Sequence, residues 1–146
     1  MIVIESKNEN DTLKIGVKLA EYIENKTIFF FHGDLGVGKT VLIRGIYDAL
    51  RGNRQEIVSP TFVYVKEHIL KTGVKFFHFD LFRKSKGDFD REIMSYVDEN
   101  EPNSIFCIEW PDMISDELKA YLINKYKCVN VDIKLSGDLR LITIND

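Results

Sequence analysis

The sequence predicts an α/β fold, a three-layer sandwich whose sheet is mostly parallel and carries antiparallel hairpin additions. Residues 27–32, TIFFFH, form a continuous apolar run of the kind found in strands that are buried on both faces. A glycine-rich turn and an apolar helical pattern follow this strand directly. Strands and helices alternate through the first half of the chain, whereas later segments pair as hairpins. At 146 residues, the chain is expected to form one domain over residues 1–146.

The elements of the first half follow from apolar spacing and from capping residues. Residues 2–4, IVI, predict a short strand. Residues 11–24 carry apolar side chains at helical spacing, with Asn10 or Asp11 as the N-cap. After the glycine-rich turn, a second helix is predicted from about Gly38 to Leu50, and it ends near Gly52.

Two hairpins and two short helices are predicted in the second half. The first hairpin joins residues 61–70 to residues 74–82 through the turn residues 71–73. A helix over about residues 88–97, a buried strand over residues 104–110 and a helix capped by Ser115 follow. The last hairpin pairs residues 127–135 with residues 139–144 and has Gly137 in its turn.

The composition argues against two classes of partner. The formal net charge is -3, whereas proteins that bind long nucleic acids usually present a basic face, so strong direct nucleic-acid binding is not expected. No apolar run approaches the roughly 18 residues that a membrane helix needs, and no basic segment followed by an apolar one opens the chain. We therefore expect a cytoplasmic protein that does not associate with membranes.

The glycine-rich turn fits the phosphate-binding pattern G-x-x-x-x-G-K-[ST], and the strand before it and the helix after it give it the context of a P-loop NTPase-like fold. Glycines let successive backbone N–H groups turn toward phosphate oxygens. Lys39 would contact the β- and γ-phosphates, and Thr40 would offer its hydroxyl to Mg²⁺. The residues expected to bind the nucleotide phosphates are Gly33, Asp34, Leu35, Gly36, Val37, Gly38, Lys39, Thr40 and Val41.

Two acidic residues end apolar strands, where open α/β sheets place their ligands. Asp80 ends FFHFD and Glu109 ends SIFCIE, so both are candidates for holding Mg²⁺ or its water shell, the alternative being solvated strand-end charges. Thr61, within Ser-Pro-Thr, either reaches the metal or the γ-phosphate from a switch loop or belongs to a plain turn. The three histidines lack metal-ligand spacing and are interpreted as structural.

Together these segments resemble the TsaE (also called YjeE) family of bacterial P-loop ATPases, which serve tRNA threonylcarbamoyladenosine synthesis. The matching stretches are GDLGVGKT, SPTF, HFDLFR and IEWP, in that order. The resemblance implies ATP and Mg²⁺ as ligands, slow ATP hydrolysis, and TsaD and TsaB proteins as partners that carry out the group transfer. The sequence departs from the family pattern at Val41, at Phe82 and in the segment RKSKGDFDREIM. Because this segment matches the family poorly, the resemblance assigns no partner contacts to it.

The resemblance also assigns site residues. Lys39, Asp80, Glu109 and Thr61 are implied in catalysis, and Thr40, Glu109 and Asp80 in metal binding. Trp110 matches the family's tryptophan beside the glutamate. The family's adenine contacts correspond here to residues 9–12, including Thr12, and to Gly137.

Three other functions compete with this interpretation. A small P-loop kinase would need an acceptor pocket and a lid, for which no segment is long enough. A GTPase would show Asp-x-x-Gly and Asn-Lys-x-Asp elements, which the sequence lacks. An adaptor that binds ATP without significant hydrolysis stays open, although Asp80 and Glu109 favour hydrolysis.

Overall fold

The computed structural model describes residues 1–59 and 63–146, which contain a seven-stranded sheet and helices on both of its faces. None of the helices in this part of the chain is long and apolar enough to cross a membrane. The strands are β1 (Ile2–Ser6), β2 (Thr27–His32), β3 (Val65–Ile69), β4 (Lys75–Asp80), β5 (Ile105–Glu109), β6 (Lys127–Ser136) and β7 (Leu139–Asn145). The helices are α1 (Glu9–Leu19), α2 (Lys39–Ala49), α3 (Asp90–Glu99) and α4 (Asp116–Lys125).

The sheet has a parallel centre and antiparallel additions at both edges, as the sequence predicts. Its strand order is β1-β7-β6-β2-β5-β4-β3. The four central strands, β6, β2, β5 and β4, run parallel to one another. The two predicted hairpins supply β7 beside β6 and β3 beside β4, and β1 then pairs antiparallel with β7. The carboxyl ends of the central strands therefore meet at one edge of the sheet.

Alternate side chains of β2 enter two separate cores, which explains why this strand is apolar throughout. Phe29 and Phe31 pack into the core that α1 and α2 cover. Ile28 and Phe30 pack into the core that α3 and α4 cover. All four side chains are fully buried, and burial of each is worth about 1.5–3 kcal/mol. The three layers of the predicted sandwich follow from this two-sided burial.

Two glycines let α1 approach α2 at backbone distance. A Cβ atom on Gly45 would collide with the carbonyl oxygen of Leu13, and a Cβ atom on Gly16 would collide with that of Leu42. Because α2 carries the residues that follow the phosphate loop, this contact also fixes where the start of α1 lies relative to the loop.

The first helix begins earlier than predicted, because Asn8 rather than Asn10 or Asp11 is its N-cap. The Asn8 side-chain oxygen accepts a hydrogen bond from the Asp11 N–H at 2.8 Å. The Asp11 carboxylate in turn accepts from the Lys7 N–H at 3.1 Å, so Asp11 acts inside the first turn. The helix predicted over residues 88–97 likewise shifts to Asp90–Glu99. Helix α2 and the helix that Ser115 caps lie where predicted.

Candidate functional site

The sheet brings the predicted acidic residues beside the phosphate loop. Asp80 and Glu109 are register partners on the parallel strands β4 and β5, and Glu109 is also opposite Phe31 near the end of β2. The loop leaves β2 at this same edge. The phosphate loop, the start of α2 and the ends of β4 and β5 together line a pocket of about 220 Å³. Its lining residues are Leu35, Gly36, Gly38, Lys39, Thr40, Val41, Ser59, Asp80, Glu109 and Trp110.

The loop has a positive φ, which glycine adopts without strain, at Gly33, Gly36 and Gly38. Gly33 has φ 146°, and a Cβ atom there would lie 2.8 Å from the Ile133 carbonyl oxygen, so the loop packs directly on β6. Gly38 has φ 119° and is the N-cap of α2, and among the residues that the structure describes no side chain caps the first-turn N–H groups. These backbone donors are therefore available to an anion at the positive end of the helix.

Lys39 is folded back into the loop in this structure. Its Nζ donates to the carbonyl oxygens of Gly33 and Asp34, the latter at 3.2 Å, and lies 4.1 Å from the centre of the Trp110 ring. The side chain is almost fully buried, and this burial lowers the pKa of the Lys39 ammonium, while Glu109 and Asp80 act in the opposite direction. Such a poorly solvated cation has much to gain from an anionic ligand.

Oxygen atoms of three predicted residues face the other side of the pocket. The Thr40 hydroxyl lies 3.4 Å from each carboxylate oxygen of Glu109 and 2.8 Å from the Ser59 hydroxyl. Asp80 accepts the N–H of Phe82 at 3.0 Å. Burial raises the pKa of the Asp80 carboxyl, and the Phe82 hydrogen bond opposes this rise. Hydroxyl and carboxylate oxygens of this kind are the protein ligands that Mg²⁺ prefers, so the residues present fit that ion.

Trp110 directly follows Glu109 in the sequence, and its ring lies beside the Lys39 ammonium. Its backbone has φ 60° and ψ 53°, a left-handed conformation that is uncommon for a bulky residue. The indole ring packs on Phe82 at 4.9 Å between centres, on the side of the site where HFDLFR ends. A strained conformation next to Glu109 is typical of functional sites, where the surrounding structure must impose it.

The two residues expected to contact adenine differ in exposure. Thr12 is fully buried, its hydroxyl lies 2.7 Å from that of Ser6, and its Cγ2 would lie 3.4 Å from a Cβ atom on Gly38 of the loop. Gly137 lies in the exposed β6–β7 turn. Thr61 falls outside the described residues.

A second cavity, of about 570 Å³, adjoins the phosphate loop through Val41. The start of α1 forms one wall of it, and basic side chains lie on the opposite wall. Its lining residues are Glu9, Asn10, Leu13, Val41, Arg44, Arg54 and Gln55. The region predicted to meet adenine, residues 9–12, thus contributes two of these residues.

Sequence reasoning missed two residues that touch the site. Arg140, three residues after Gly137, donates its Nε–H to the Val37 carbonyl oxygen at 2.7 Å and so ties β7 to the phosphate loop. His78 lies 2.6 Å from Glu109 in the core, although the sequence interpretation treats it as structural. The signal for His78 was its position two residues before Asp80, because alternate residues of a strand share one face.

Comparisons with known proteins identify the family of this chain. The TsaE family, described as threonylcarbamoyl adenosine biosynthesis protein TsaE, matches residues 6–139. The chain is 34% identical over 110 residues to the tRNA threonylcarbamoyladenosine biosynthesis protein TsaE of Haemophilus influenzae, covering 72% of this chain and 68% of that one. It is 31% identical over 138 residues to the TsaE protein of Rickettsia felis, covering 94% of this chain and 75% of that one.

A solved structure supports the same fold. The crystal structure of YdiB from Bacillus subtilis superimposes with a TM-score of 0.62, covering 98% of this chain and 83% of that one at 22% identity. The phosphate loop, the two strand-end carboxylates and the family match over residues 6–139 lead to one conclusion: the chain belongs to the TsaE family, which takes part in tRNA threonylcarbamoyladenosine biosynthesis.

Proposed function

We propose that this chain is a Mg²⁺-dependent ATP hydrolase subunit that binds a complex of TsaD and TsaB. In this role it supports formation of the threonylcarbamoyl group on the adenosine 3′ of the anticodon, in tRNAs that read codons beginning with adenine. The observation that carries the proposal is the convergence of Lys39, Thr40, Asp80 and Glu109 on one pocket at the carboxyl edge of the sheet.

The nucleotide phosphates occupy the loop in this proposal. The first-turn N–H groups of α2 point at them, and Lys39 exchanges its contacts with the Gly33 and Asp34 carbonyl oxygens for phosphate oxygens. The nucleoside extends past Val41 into the cavity of about 570 Å³, which the start of α1 and Arg44 help to line. Apolar contact from Leu13 and polar contact from Asn10 suit a purine base there.

Hydrolysis requires charge stabilisation at the terminal phosphate and an oriented water molecule. Thr40 and Glu109 would hold Mg²⁺, with Asp80 on the neighbouring strand end completing the acidic side. Bound Mg²⁺ would neutralise charge on the phosphate oxygens. Asp80 and Glu109 orient water at this edge, while Lys39 holds the leaving and transferred phosphates.

The isolated chain is proposed to hydrolyse ATP slowly. Arg83, the last residue of the motif HFDLFR, stacks over the Phe82 ring with its guanidinium 5.0 Å from the ring centre. Arg140 already donates its Nε–H to Val37. In related P-loop enzymes an inserted arginine is worth about 10³–10⁵ in rate, so a partner that supplies or frees one would accelerate turnover strongly.

Phosphate release by the purified chain tests the hydrolase assignment. We expect turnover that requires both ATP and Mg²⁺, at a rate well below the typical enzyme range of about 1–10³ per second. GTP serves as the comparison nucleotide. An absence of phosphate release with and without the TsaD–TsaB complex would favour an adaptor that binds ATP only, and release that depends on an added small acceptor would favour a kinase.

Trp110 is expected to report nucleotide binding. It is the only tryptophan, and the Lys39 ammonium lies over its ring in this structure. When phosphates draw Lys39 away from the ring, the emission of Trp110 should change and then saturate at the nucleotide dissociation constant. The measurement is a fluorescence titration with Mg-ATP, corrected for light absorbed by adenine.

A Lys39→Met variant supplies the control for this titration. Its emission without nucleotide should already differ from that of the parent, and Mg-ATP should change it no further. Parent emission that is indifferent to saturating Mg-ATP during active hydrolysis would show that Trp110 does not sense the nucleotide.

A further inference from the structure

A buried histidine contacts the carboxylate that the proposed hydrolysis depends on. His78 Nε2 lies 2.6 Å from Glu109 Oε2, and the side chains are 0% and 4% exposed. His78 is on β4 two residues before Asp80, and Glu109 ends the adjacent parallel strand β5. Glu109 lines the pocket, and His78 lies beside it on the same face of the sheet.

The contact fixes one oxygen of a side chain that would otherwise rotate. Glu109 receives a hydrogen bond from the Thr40 hydroxyl at 3.4 Å and the much shorter one from His78. A glutamate has three rotatable side-chain bonds, and the terminal one has broad preferences. Because Thr40 lies 3.4 Å from both carboxylate oxygens, the shorter His78 contact is the stronger of the two that orient the Glu109 carboxylate.

Packing alone does not account for an imidazole at this position. Phe76, which precedes His78 by two residues and shares its face of β4, is fully buried, so the core on this face accepts an aromatic ring without polar atoms. Within the described residues, Nδ1 of His78 is buried and has no hydrogen-bond partner. A buried polar atom without a partner destabilises a protein, and the ring makes its hydrogen bond at Nε2. We therefore attribute the histidine at this position to the hydrogen bond between its Nε2 and Glu109.

Resting on the proposed hydrolase function, we propose that His78 is a positioning residue: its Nε2–H holds Glu109 Oε2 and thereby fixes the orientation of the carboxylate beside the Thr40 hydroxyl and toward the metal. Histidines that support metal-site ligands in this way commonly contribute 10–100-fold to metal affinity or activity. Loss of the contact should therefore lower turnover and weaken the response to Mg²⁺. Binding of nucleotide without Mg²⁺, which in this proposal rests on Lys39 and on the backbone N–H groups of the loop, should persist.

Three variants separate positioning from packing. His78→Leu removes the donor from a buried site, whereas the longer amide of His78→Gln keeps an N–H donor near the place of Nε2. His68→Leu is the control, because His68 is a histidine of the adjacent strand β3 that packs on Tyr47 and Phe76 instead. If His78→Leu does not fold, His78→Asn, whose amide is shorter, takes its place.

We expect His78→Leu to lower kcat by about 10–100-fold and to raise the Mg²⁺ concentration at half-maximal rate. Binding of ADP without Mg²⁺ should not change. His78→Gln should recover most of the loss, and His68→Leu should match the parent. Parent-like kcat and Mg²⁺ dependence in His78→Leu would overturn the proposal. Equal losses of kcat in His78→Gln and His78→Leu, in proportion to their loss of thermal stability, would also overturn it.

Nitrogen NMR of the histidine rings gives a readout without nucleotide or turnover. In the parent, the His78 ring should carry its proton on Nε2, with a slowly exchanging downfield resonance that Glu109→Ala shifts or removes. A proton on Nδ1 alone, or a resonance that Glu109→Ala leaves unchanged, would overturn the proposal. If the parent hydrolyses no ATP even with the TsaD–TsaB complex, the hydrolase function fails while this NMR result still decides the His78–Glu109 contact.

Discussion

Lys39→Ala is expected to remove ATP turnover almost completely, by about 10²–10³-fold or more, while the chain stays folded. The side chain supplies the cation of the phosphate pocket, and no other lysine lines that pocket among the described residues. Burial already lowers the pKa of this ammonium, so its removal relieves an unfavourable burial as well as breaking contacts with Gly33 and Asp34. Phosphate release checks the loss of turnover, and thermal unfolding of the same preparation checks that the chain stays folded.

Lys26→Ala is a matched control for this loss. Lys26 also donates to two backbone carbonyl oxygens, those of Val97 at 2.6 Å and Asp98 at 3.2 Å, and its pKa is also lowered by burial. It precedes β2, at the opposite end of that strand from the phosphate loop. Lys26→Ala should therefore leave turnover per folded molecule unchanged. Full hydrolysis by folded Lys39→Ala would disprove the phosphate-loop assignment.

Glu109→Gln and Asp80→Asn are expected to lower kcat by about 10²-fold or more, with a much smaller effect on nucleotide affinity. Acids at a metal or at an attacking water act mainly on charge that develops in the transition state, so the loss appears in the rate. Single-turnover hydrolysis and direct ADP binding separate the two quantities. Because burial raises the pKa of Asp80, the ionised carboxylate disfavours folding near neutral pH, and Asp80→Asn should not destabilise the chain there.

Asp132→Asn provides the comparison for these two variants. Asp132 is an acidic residue of the parallel strand β6 in register with His32, at the end of β2, and is therefore at the same edge of the sheet. It does not line the pocket around Lys39 as far as the described residues show. If Glu109→Gln and Asp80→Asn turn over ATP as Asp132→Asn and the parent do, these carboxylates are only strand-end charges.

Much of the fold could be predicted because the informative signals are local. The run TIFFFH identifies a strand that is buried on both faces, and the turn residues around Gly73 and Gly137 identify the hairpins. The start of α1 was misplaced because several cap-forming residues lie close together, and only the three-dimensional structure shows that the Asn8 side chain reaches the Asp11 N–H. The α1–α2 approach at Gly16 and Gly45 depends on tertiary packing, which spacing along the chain does not reveal.

The site also contains residues that local sequence patterns reveal and contacts that only the three-dimensional structure reveals. Lys39, Thr40, Asp80 and Glu109 could be found because each ends a recognisable local pattern, and the structure gathers all four into one pocket. The contact from His78 to Glu109 depends on strand order, with β5 between β2 and β4, and the sequence does not fix that order. The contact from Arg140 to the loop spans 103 positions along the chain and has no local signal.

A reconstituted tRNA-modification reaction tests the accessory-ATPase role most directly. It combines tRNA, a threonylcarbamoyl donor and purified TsaD and TsaB, with or without this chain, and follows modified tRNA over many turnovers. We predict that repeated turnover requires both this chain and ATP, that Lys39→Ala does not support it, and that the complex accelerates ATP hydrolysis by the parent. Repeated cycles completed without this chain, or hydrolysis by the isolated chain at tens per second, would contradict that role.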